Sequence, residues 1–181
     1  MVLPSDIDHE NGNIGGSAVD CTVAAVKEVT RRGIVDEKKI GLMGHSFGGY
    51  ETNFIITQTD IFASAVSGAS IADLISAYLT VEGDSGIPFA ARFQTNVQWR
   101  MGRTLFEDPE LYYKNSPVSN AASINTPLLL WTGKEDYHVD WRQTVELYMA
   151  LRILGKPGSM LLYPNEKHVL QQYNNQIDLS G

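Results

Sequence analysis

The chain has 181 residues and a formal net charge of −7 at pH 7, with 14 Lys and Arg against 21 Asp and Glu. Hydrophobic residues make up 43% of it and charged residues 19%, which excludes a disordered, collagen-like or coiled-coil protein. An acidic chain without a basic run is also a poor candidate for binding nucleic acid or an anionic membrane.

The first half of the chain alternates between helical and extended patterns. A strand edge at 2–4 precedes a polar loop that is rich in Gly and Asn. Apolar residues then recur at helical spacing, with Ser17 as the N-cap and Gly33 just after the end. These patterns predict a helix over 18–32, a buried strand over 39–44, a helix over 47–58 and a strand over 62–68.

The second half predicts short elements and then two more strands. Mixed periodicity over 71–123 indicates short helices and loops, whereas apolar runs over 127–133 and 159–163 predict buried strands around a helix at 140–154. Residues 178–180 read as the start of a helix. Apolar strands separated by helices favour an α/β fold with a parallel sheet covered on both faces. We therefore expect one partial domain over 1–181, without its first strands and last helix.

A motif between the first predicted strand and the next helix carries a candidate nucleophile. Residues 44–48 read Gly-His-Ser-Phe-Gly. In a G-x-S-x-G element a sharp turn exposes the serine hydroxyl at the N-terminus of the helix. Ser46 is then the nucleophile, and the N–H of Phe47 points at the oxyanion. The alternative is a tight glycine-rich turn whose serine only caps the helix.

A serine nucleophile needs a base, and the base needs an orienting acid. Hydrolases with this motif place them in the chain order Ser, Asp or Glu, His. Asp136 follows the predicted strand that ends at 133, and His168 follows the strand that ends at 163. Because the carboxyl ends of parallel strands meet at one edge of a sheet, we predict that Ser46, Asp136 and His168 converge there.

The other three histidines are weaker candidates for the base. His9 lies in the leading loop, where solvation is expected, and His45 lies inside the turn motif, where it is expected to point away from the site. His138 is two residues past Asp136 and does not follow a strand directly. A solvated surface histidine is the alternative for His168 itself.

Other carboxylates compete with Asp136 for the role of orienting acid. Glu135 is its neighbour, and Asp140 precedes a helical run and is expected to cap that helix. Glu166 is expected to pair with Lys167 or another surface charge.

Several further classes of site are excluded or unsupported. The single cysteine, Cys21, rules out an intrachain disulfide and a cysteine zinc site, and its place on an apolar helix face predicts an inert core residue. No metal or phosphate motif occurs, so we expect no metal and no other cofactor. Charged residues interrupt the place of a secretory signal, and no apolar run reaches the ~20 residues of a membrane span. As it stands the chain is expected to be cytoplasmic, although a longer parent could be exported.

These motifs together resemble the catalytic domain of the prolyl oligopeptidase family of serine peptidases. The motifs are most similar to those of the dipeptidyl-peptidase-IV-like and acylaminoacyl-peptidase-like branches. The resemblance covers nearly the whole chain. The segments that carry it are 44–50 (GHSFGGY), 127–136 (PLLLWTGKED) and 147–168, with 57–63 and 115–117 also matching.

The resemblance implies an α/β-hydrolase fold with Ser46 as nucleophile, Asp136 as orienting acid and His168 as base. It assigns one oxyanion donor to the N–H of Phe47 and a second to a tyrosine in a loop that precedes the region present here. A β-propeller normally precedes the hydrolase domain and limits access to small peptides. The resemblance also places Tyr50, Trp99 and His138 near the substrate.

Three functional hypotheses follow. The leading one is a serine peptidase that cleaves short peptides through an acyl-enzyme. The second is a carboxylesterase on the same fold, because esters demand less of the site than amides. The third is an inactive or weakly active fragment that needs missing N-terminal segments or a partner. An unpaired sheet edge would also favour self-association of the chain.

Overall fold

A computed structural model describes residues 12–81, 86 and 89–181, and the predicted strand edge at 2–4 and His9 lie outside these residues. Within these ranges, four strands form one fully parallel sheet with the order β1-β2-β3-β4. They are β1 (Gly41–His45), β2 (Ser64–Gly68), β3 (Leu128–Gly133) and β4 (Gly158–Tyr163). Each lies within two residues of its predicted bounds, and the α/β fold is confirmed.

Helices connect the strands and fill the segment between β2 and β3. As predicted, residues 71–123 contain only short helices and loops among the described residues, including a π-helical turn at Phe93–Val97. No described helix is long and apolar enough to cross a membrane. The α-helices in the described part of the chain are α1 (Ile14–Arg31), α2 (Phe47–Gln58), α3 (Leu74–Ala77), α4 (Phe89–Arg92), α5 (Pro109–Lys114), α6 (Arg142–Ile153) and α7 (Tyr173–Ser180).

The sheet buries side chains on both faces because residues alternate along each strand. Leu130 of β3 packs with Ile56 of α2 and Leu147 of α6 in one cluster. The next residue, Trp131, packs on the opposite face with Tyr163. Full burial of each such side chain contributes about 1.5–3 kcal/mol, so these two layers hold the strand ends in place.

The start of α1 was predicted wrongly. The helix begins at Ile14 with Asn13 as its N-cap, and Ser17 is buried inside it instead of capping it. The paired glycines 15 and 16 suggest a loop, but Gly15 has a packing role. A Cβ atom there would lie 2.6 Å from the ring of Phe54, so the missing side chain lets α1 approach α2 closely. Cys21 on the same helix is only partly buried and is not a core residue.

The prediction that β1 is a buried strand was also wrong. β1 pairs only with β2 among the described residues, and Met43 at its centre is 78% exposed. A short apolar run cannot distinguish an edge strand from a central one. Among the described residues β1 is therefore an edge strand of the sheet, as β4 is at the other end.

The C-terminal helix begins earlier than predicted. We expected a helix to start at 178, but α7 already begins at Tyr173. Its first turn is rich in Asn, which is a poor helix former, and tertiary contacts hold it instead. Asn175 donates to the carboxylate of Glu166, and Asp178 accepts from the hydroxyl of Tyr163 at the end of β4. Burial, together with the Asp178 carboxylate, raises the pKa of Tyr163 to about 12.

Candidate active site

Three loops meet at the carboxyl edge of the parallel sheet and bring Ser46, Asp136 and His168 together. Nδ1 of His168 lies 2.7 Å from Oδ2 of Asp136, and Nε2 lies 2.8 Å from Oγ of Ser46. The three side chains thus form one continuous series of hydrogen bonds. Such a series lets a carboxylate orient an imidazole while the imidazole accepts a proton from an alcohol.

Ser46 lies in a strained turn between β1 and α2. Its backbone has φ +58° and ψ −120°, a left-handed conformation that costs free energy for a residue with a side chain. The Ser46 N–H donates to the carbonyl oxygen of Gly68 on β2 at 2.8 Å. Gly44 is required because a Cβ there would lie 2.1 Å from the carbonyl oxygen of Gly48. The turn leaves the N–H of Phe47 in the first turn of α2, where no intrahelical acceptor exists.

Backbone hydrogen bonds fix the orientation of the Asp136 carboxylate towards the imidazole. Its side chain is fully buried, and Oδ1 accepts hydrogen bonds from the backbone N–H groups of His138 at 2.9 Å and Val139 at 3.0 Å. Oδ2 is left to face His168. Because an ionised carboxylate only accepts, the facing Nδ1 carries the ring proton, and the lone pair of Nε2 is directed at Ser46.

His45 contacts the base, contrary to the prediction that it points away. Nε2 of His45 lies 2.7 Å from the carbonyl oxygen of His168, and the two rings are 4.8 Å apart. A carbonyl oxygen can only accept, so Nε2 of His45 is the donor. The His45 ring also stacks on Trp131 at 5.4 Å. The error arose because the loop after β4 reaches across the sheet to β1, which sequence patterns do not reveal.

Two competing carboxylates have other partners. Oδ1 of Asp140 accepts from the N–H of Arg142, the first residue of α6, at 2.9 Å, but the N-cap of that helix is Trp141 and not Asp140 as predicted. Glu166 does not pair with Lys167 on the surface, because it is only 1% exposed and accepts from backbone and amide donors instead. The third, Glu135, is exposed.

A cavity of about 200 Å³ opens beside the Ser46 hydroxyl. Its walls are mostly apolar. Trp99 is 4% exposed and meets the ring of Phe47 edge-on at 4.9 Å, while His138 lies edge-on to His168 at 5.4 Å. Two of the three predicted substrate contacts therefore lie at the cavity. The walls include Phe47, Ile71, Phe93, Trp99, His138 and Val139.

Tyr50 does not line this cavity. Its side chain is fully buried, and its hydroxyl donates to the carbonyl oxygen of Asn115 at 3.1 Å. Burial raises the pKa of this phenol far above its ordinary value. The Tyr50 ring packs behind Phe47 and Trp99 at 5.7 and 5.2 Å. Its place one helical turn after Ser46 directs it into the core, where it supports the cavity wall.

Metal ligation has no support in the part of the chain that the structure describes. No group of three or more His, Cys, Asp or Glu side chains there is arranged to hold an ion. The polar groups at the sheet edge are instead paired with one another, as the three contacts of Asp136 illustrate.

The chain matches known proteins by family model, by sequence and by fold. The model of the prolyl oligopeptidase family matches residues 8–180. The uncharacterized peptidase YuxL of Bacillus subtilis is 34% identical over 167 residues, which cover 92% of this chain and 24% of that protein. The chain thus spans about a quarter of the length of the curated relatives it matches.

Two solved structures share the fold. A puromycin-hydrolyzing peptidase of Mycobacterium tuberculosis superposes with a TM-score of 0.83 at 26% identity, over 93% of this chain and 24% of that one. An acylaminoacyl peptidase in complex with Z-Gly-Gly-Phe-chloromethyl ketone superposes with a TM-score of 0.68 at 29% identity, over 78% of this chain and 22% of that one.

Proposed function

The chain belongs to the prolyl oligopeptidase family of serine peptidases, and from this premise we propose that it hydrolyses short peptides through an acyl-enzyme on Ser46. The observation that carries the proposal is the unbroken series of hydrogen bonds from Ser46 through His168 to Asp136. A peptide as substrate is supported by the relative that was solved with a peptidyl chloromethyl ketone.

In the first half of the reaction, Oγ of Ser46 attacks the carbonyl carbon of the scissile amide. Nε2 of His168 takes the hydroxyl proton as the C–O bond forms, and Asp136 stabilises the resulting imidazolium. The tetrahedral intermediate then collapses, the C–N bond breaks, and His168 gives its proton to the leaving amine. The acyl group remains as an ester of Ser46.

In the second half, a water molecule attacks that ester. Nε2 of His168 takes a proton from the water, and a second tetrahedral intermediate forms. The bond between the acyl carbon and Oγ then breaks, and the proton returns from His168 to Ser46. The carboxylic acid product leaves, and the site regains its starting protonation.

The negative charge of each intermediate forms near the start of α2. The N–H of Phe47 lies there, where the positive end of the helix dipole adds to the stabilisation. Removing one such donor typically costs roughly 10²–10³ in rate. We propose Phe47 as a backbone donor to the oxyanion.

The apolar cavity beside Ser46 supports a preference for a bulky apolar side chain on the acyl side of the bond. Aromatic walls from Phe47, Phe93 and Trp99 enclose about 200 Å³, and burying such a side chain favours binding. A charged side chain would lose much of its hydration against these mostly apolar walls.

The experiment compares turnover of an activated p-nitrophenyl ester with turnover of peptide amides that carry Phe or Asp before the scissile bond. We expect cleavage of the ester and of the Phe amide, and loss of both on the order of 10⁶-fold in Ser46→Ala. The matched control, Ser123→Ala at an exposed serine, should leave both rates unchanged.

The same assay separates the alternatives. Turnover of the ester without the amide would identify a carboxylesterase on this fold. No turnover of either substrate by a folded chain would indicate a fragment that needs further segments. Equal activity in Ser46→Ala would remove Ser46 as the nucleophile.

A further inference from the structure

Glu166 is a buried acid that the reaction above does not use. Its side chain is 1% exposed, and it lies two residues before His168. A carboxylate in such a place is costly unless hydrogen bonds replace its lost hydration. Its partners therefore reveal what holds it there.

Three donors from the described residues contact the Glu166 carboxylate, and all three follow His168 in the chain. Oε2 accepts from the N–H of Gln171 at 2.8 Å, and Oε1 accepts from the N–H of Gln172 at 2.9 Å and from Nδ2 of Asn175 at 2.8 Å. The carboxylate thus links residue 166, before His168, to residues 171–175, after it, and closes a ring of hydrogen-bonded chain that contains His168.

The charged form of Glu166 fits this environment. Burial alone would raise the pKa of Glu166, but hydrogen bonds from Gln171, Asn175 and Gln172 together hold that pKa below its usual value. An ionised carboxylate can accept from every one of these donors, whereas a neutral acid or amide cannot.

The backbone of Glu166 joins this ring to the loop of the orienting acid. Its carbonyl oxygen accepts from the N–H of Glu135 at 2.9 Å, one residue before Asp136. The two loops touch so closely that a Cβ on Gly133 would lie 2.3 Å from that same oxygen. Glu166 thus contacts the loop of Asp136 through its backbone and the loop of His168 through its carboxylate.

We propose that Glu166 is a positioning residue, whose carboxylate holds the His168 loop at the distance from Asp136 that fixes the tautomer of the imidazole. This inference deepens the proposed function and rests on it for its catalytic consequence. Its direct consequence is structural: the Nδ1–H tautomer of His168 depends on the Asp136 contact, and that contact depends on Glu166.

The test is ¹⁵N NMR of the His168 ring nitrogens in the 181-residue chain, with His168→Ala to assign the signals. We expect the Nδ1–H tautomer in the parent chain and a lower fraction of it in Glu166→Gln, because the new NH₂ group faces the backbone N–H of Gln171 or of Gln172 and cannot accept from it. Glu135→Gln removes the same charge from an exposed neighbour and should leave the tautomer unchanged.

Reaction of Ser46 with a fluorophosphonate is the second readout, taken at a temperature where circular dichroism shows each variant folded. We expect Glu166→Gln to react at least roughly tenfold more slowly, since small misplacements of a catalytic group have effects up to about 10²-fold. If Glu166→Gln does not fold, Asn175→Ala removes one donor and keeps the charge, and should shift both readouts the same way by less.

The outcomes separate the two proposals. A parent chain that does not react with the fluorophosphonate contradicts the proposed function, while the tautomer still decides the role of Glu166. A folded Glu166→Gln variant with the tautomer of the parent chain overturns the positioning role, as does a parent chain without the Nδ1–H tautomer.

Discussion

The acid–base half of the site, Asp136 and His168, and its nucleophile half, Ser46, are held in place in different ways. Asp136 follows β3 and His168 follows the neighbouring strand β4. The carbonyl oxygen of Glu166 joins the two loops, and its carboxylate accepts from the residues that follow His168. Ser46 instead follows β1, an edge strand whose Met43 is 78% exposed. The acid–base half is thus organised by a network of contacts, whereas the nucleophile depends on one strained turn. Substitutions in the first half should affect chemistry and stability, and those on the open edge should affect association.

The largest effect should come from Asp136→Asn in the networked half. An amide cannot hold His168 in the tautomer that accepts a proton from Ser46, so turnover should fall roughly 10⁴-fold. Steady-state kinetics on the ester substrate measure it. Asp140→Asn changes the net charge equally and retains an oxygen that can accept from the N–H of Arg142, so its rate should match that of the parent chain. Equal rates for both variants would remove Asp136 from the mechanism.

A smaller effect is expected for the stability contributed by the buried carboxylate. Glu166→Gln leaves at least one partly buried N–H without its acceptor, which should cost about 1 kcal/mol in the free energy of unfolding at neutral pH. Because the pKa of Glu166 is lowered in the folded chain, this contribution is complete above the unfolded pKa of about 4.3 and is lost as the pH falls through the folded pKa.

Urea unfolding of both chains across that acidic range tests this sign. The difference in unfolding free energy between the parent chain and Glu166→Gln should shrink as the solution becomes more acidic. A difference that grows towards low pH would mean that the folded state binds the Glu166 proton more tightly than the unfolded state, against the hydrogen bonding described above.

His45 links the two halves, and its contribution should be modest. His45→Phe keeps a ring to stack on Trp131 but cannot donate to the carbonyl oxygen of His168. One exposed hydrogen bond contributes about 0.5–1.5 kcal/mol, so turnover should fall no more than about tenfold. His45→Gln retains a donor and should recover part of the loss. A loss of the size predicted for Asp136→Asn would mean that His45 itself takes part in the chemistry.

The smallest effect on the fold should come from the open edge. Met43→Lys places a charge on β1, which discourages strand pairing between molecules, and should change stability by no more than about 0.5 kcal/mol. Sedimentation velocity over a range of concentrations should show less self-association than in the parent chain. Ile153→Lys is the control, because Ile153 is 80% exposed but lies on α6. Equal association of both variants and the parent chain would argue against pairing through β1.

Much of the fold could be predicted because its signals are local. The bounds of α2 matched the prediction, and each strand was found where an apolar run lay between turns. The errors have a common cause in tertiary structure. Gly15 suggests a loop in isolation but allows α1 to pack on Phe54, and the polar first turn of α7 is held by contacts with Glu166 and β4.

The functional site shows the same division between local signals, which could be predicted, and tertiary contacts, which could not. Chain order and strand ends were enough to choose Ser46, Asp136 and His168, which the structure brings together. The contacts of His45 and Glu166 could not be predicted, because both depend on the loop after β4 crossing the sheet edge. The short spacing of Glu166 from His168 was a signal, but an isolated Glu is usually exposed, and only its burial reveals the difference.

The central claim is that His168 activates Ser46. Its most direct test is mass spectrometry of the chain after reaction with a fluorophosphonate, which locates the modified residue by peptide fragmentation. Our account predicts one adduct, on Ser46, and its loss in His168→Ala. An adduct on another residue, or an undiminished adduct on Ser46 in His168→Ala, would contradict it.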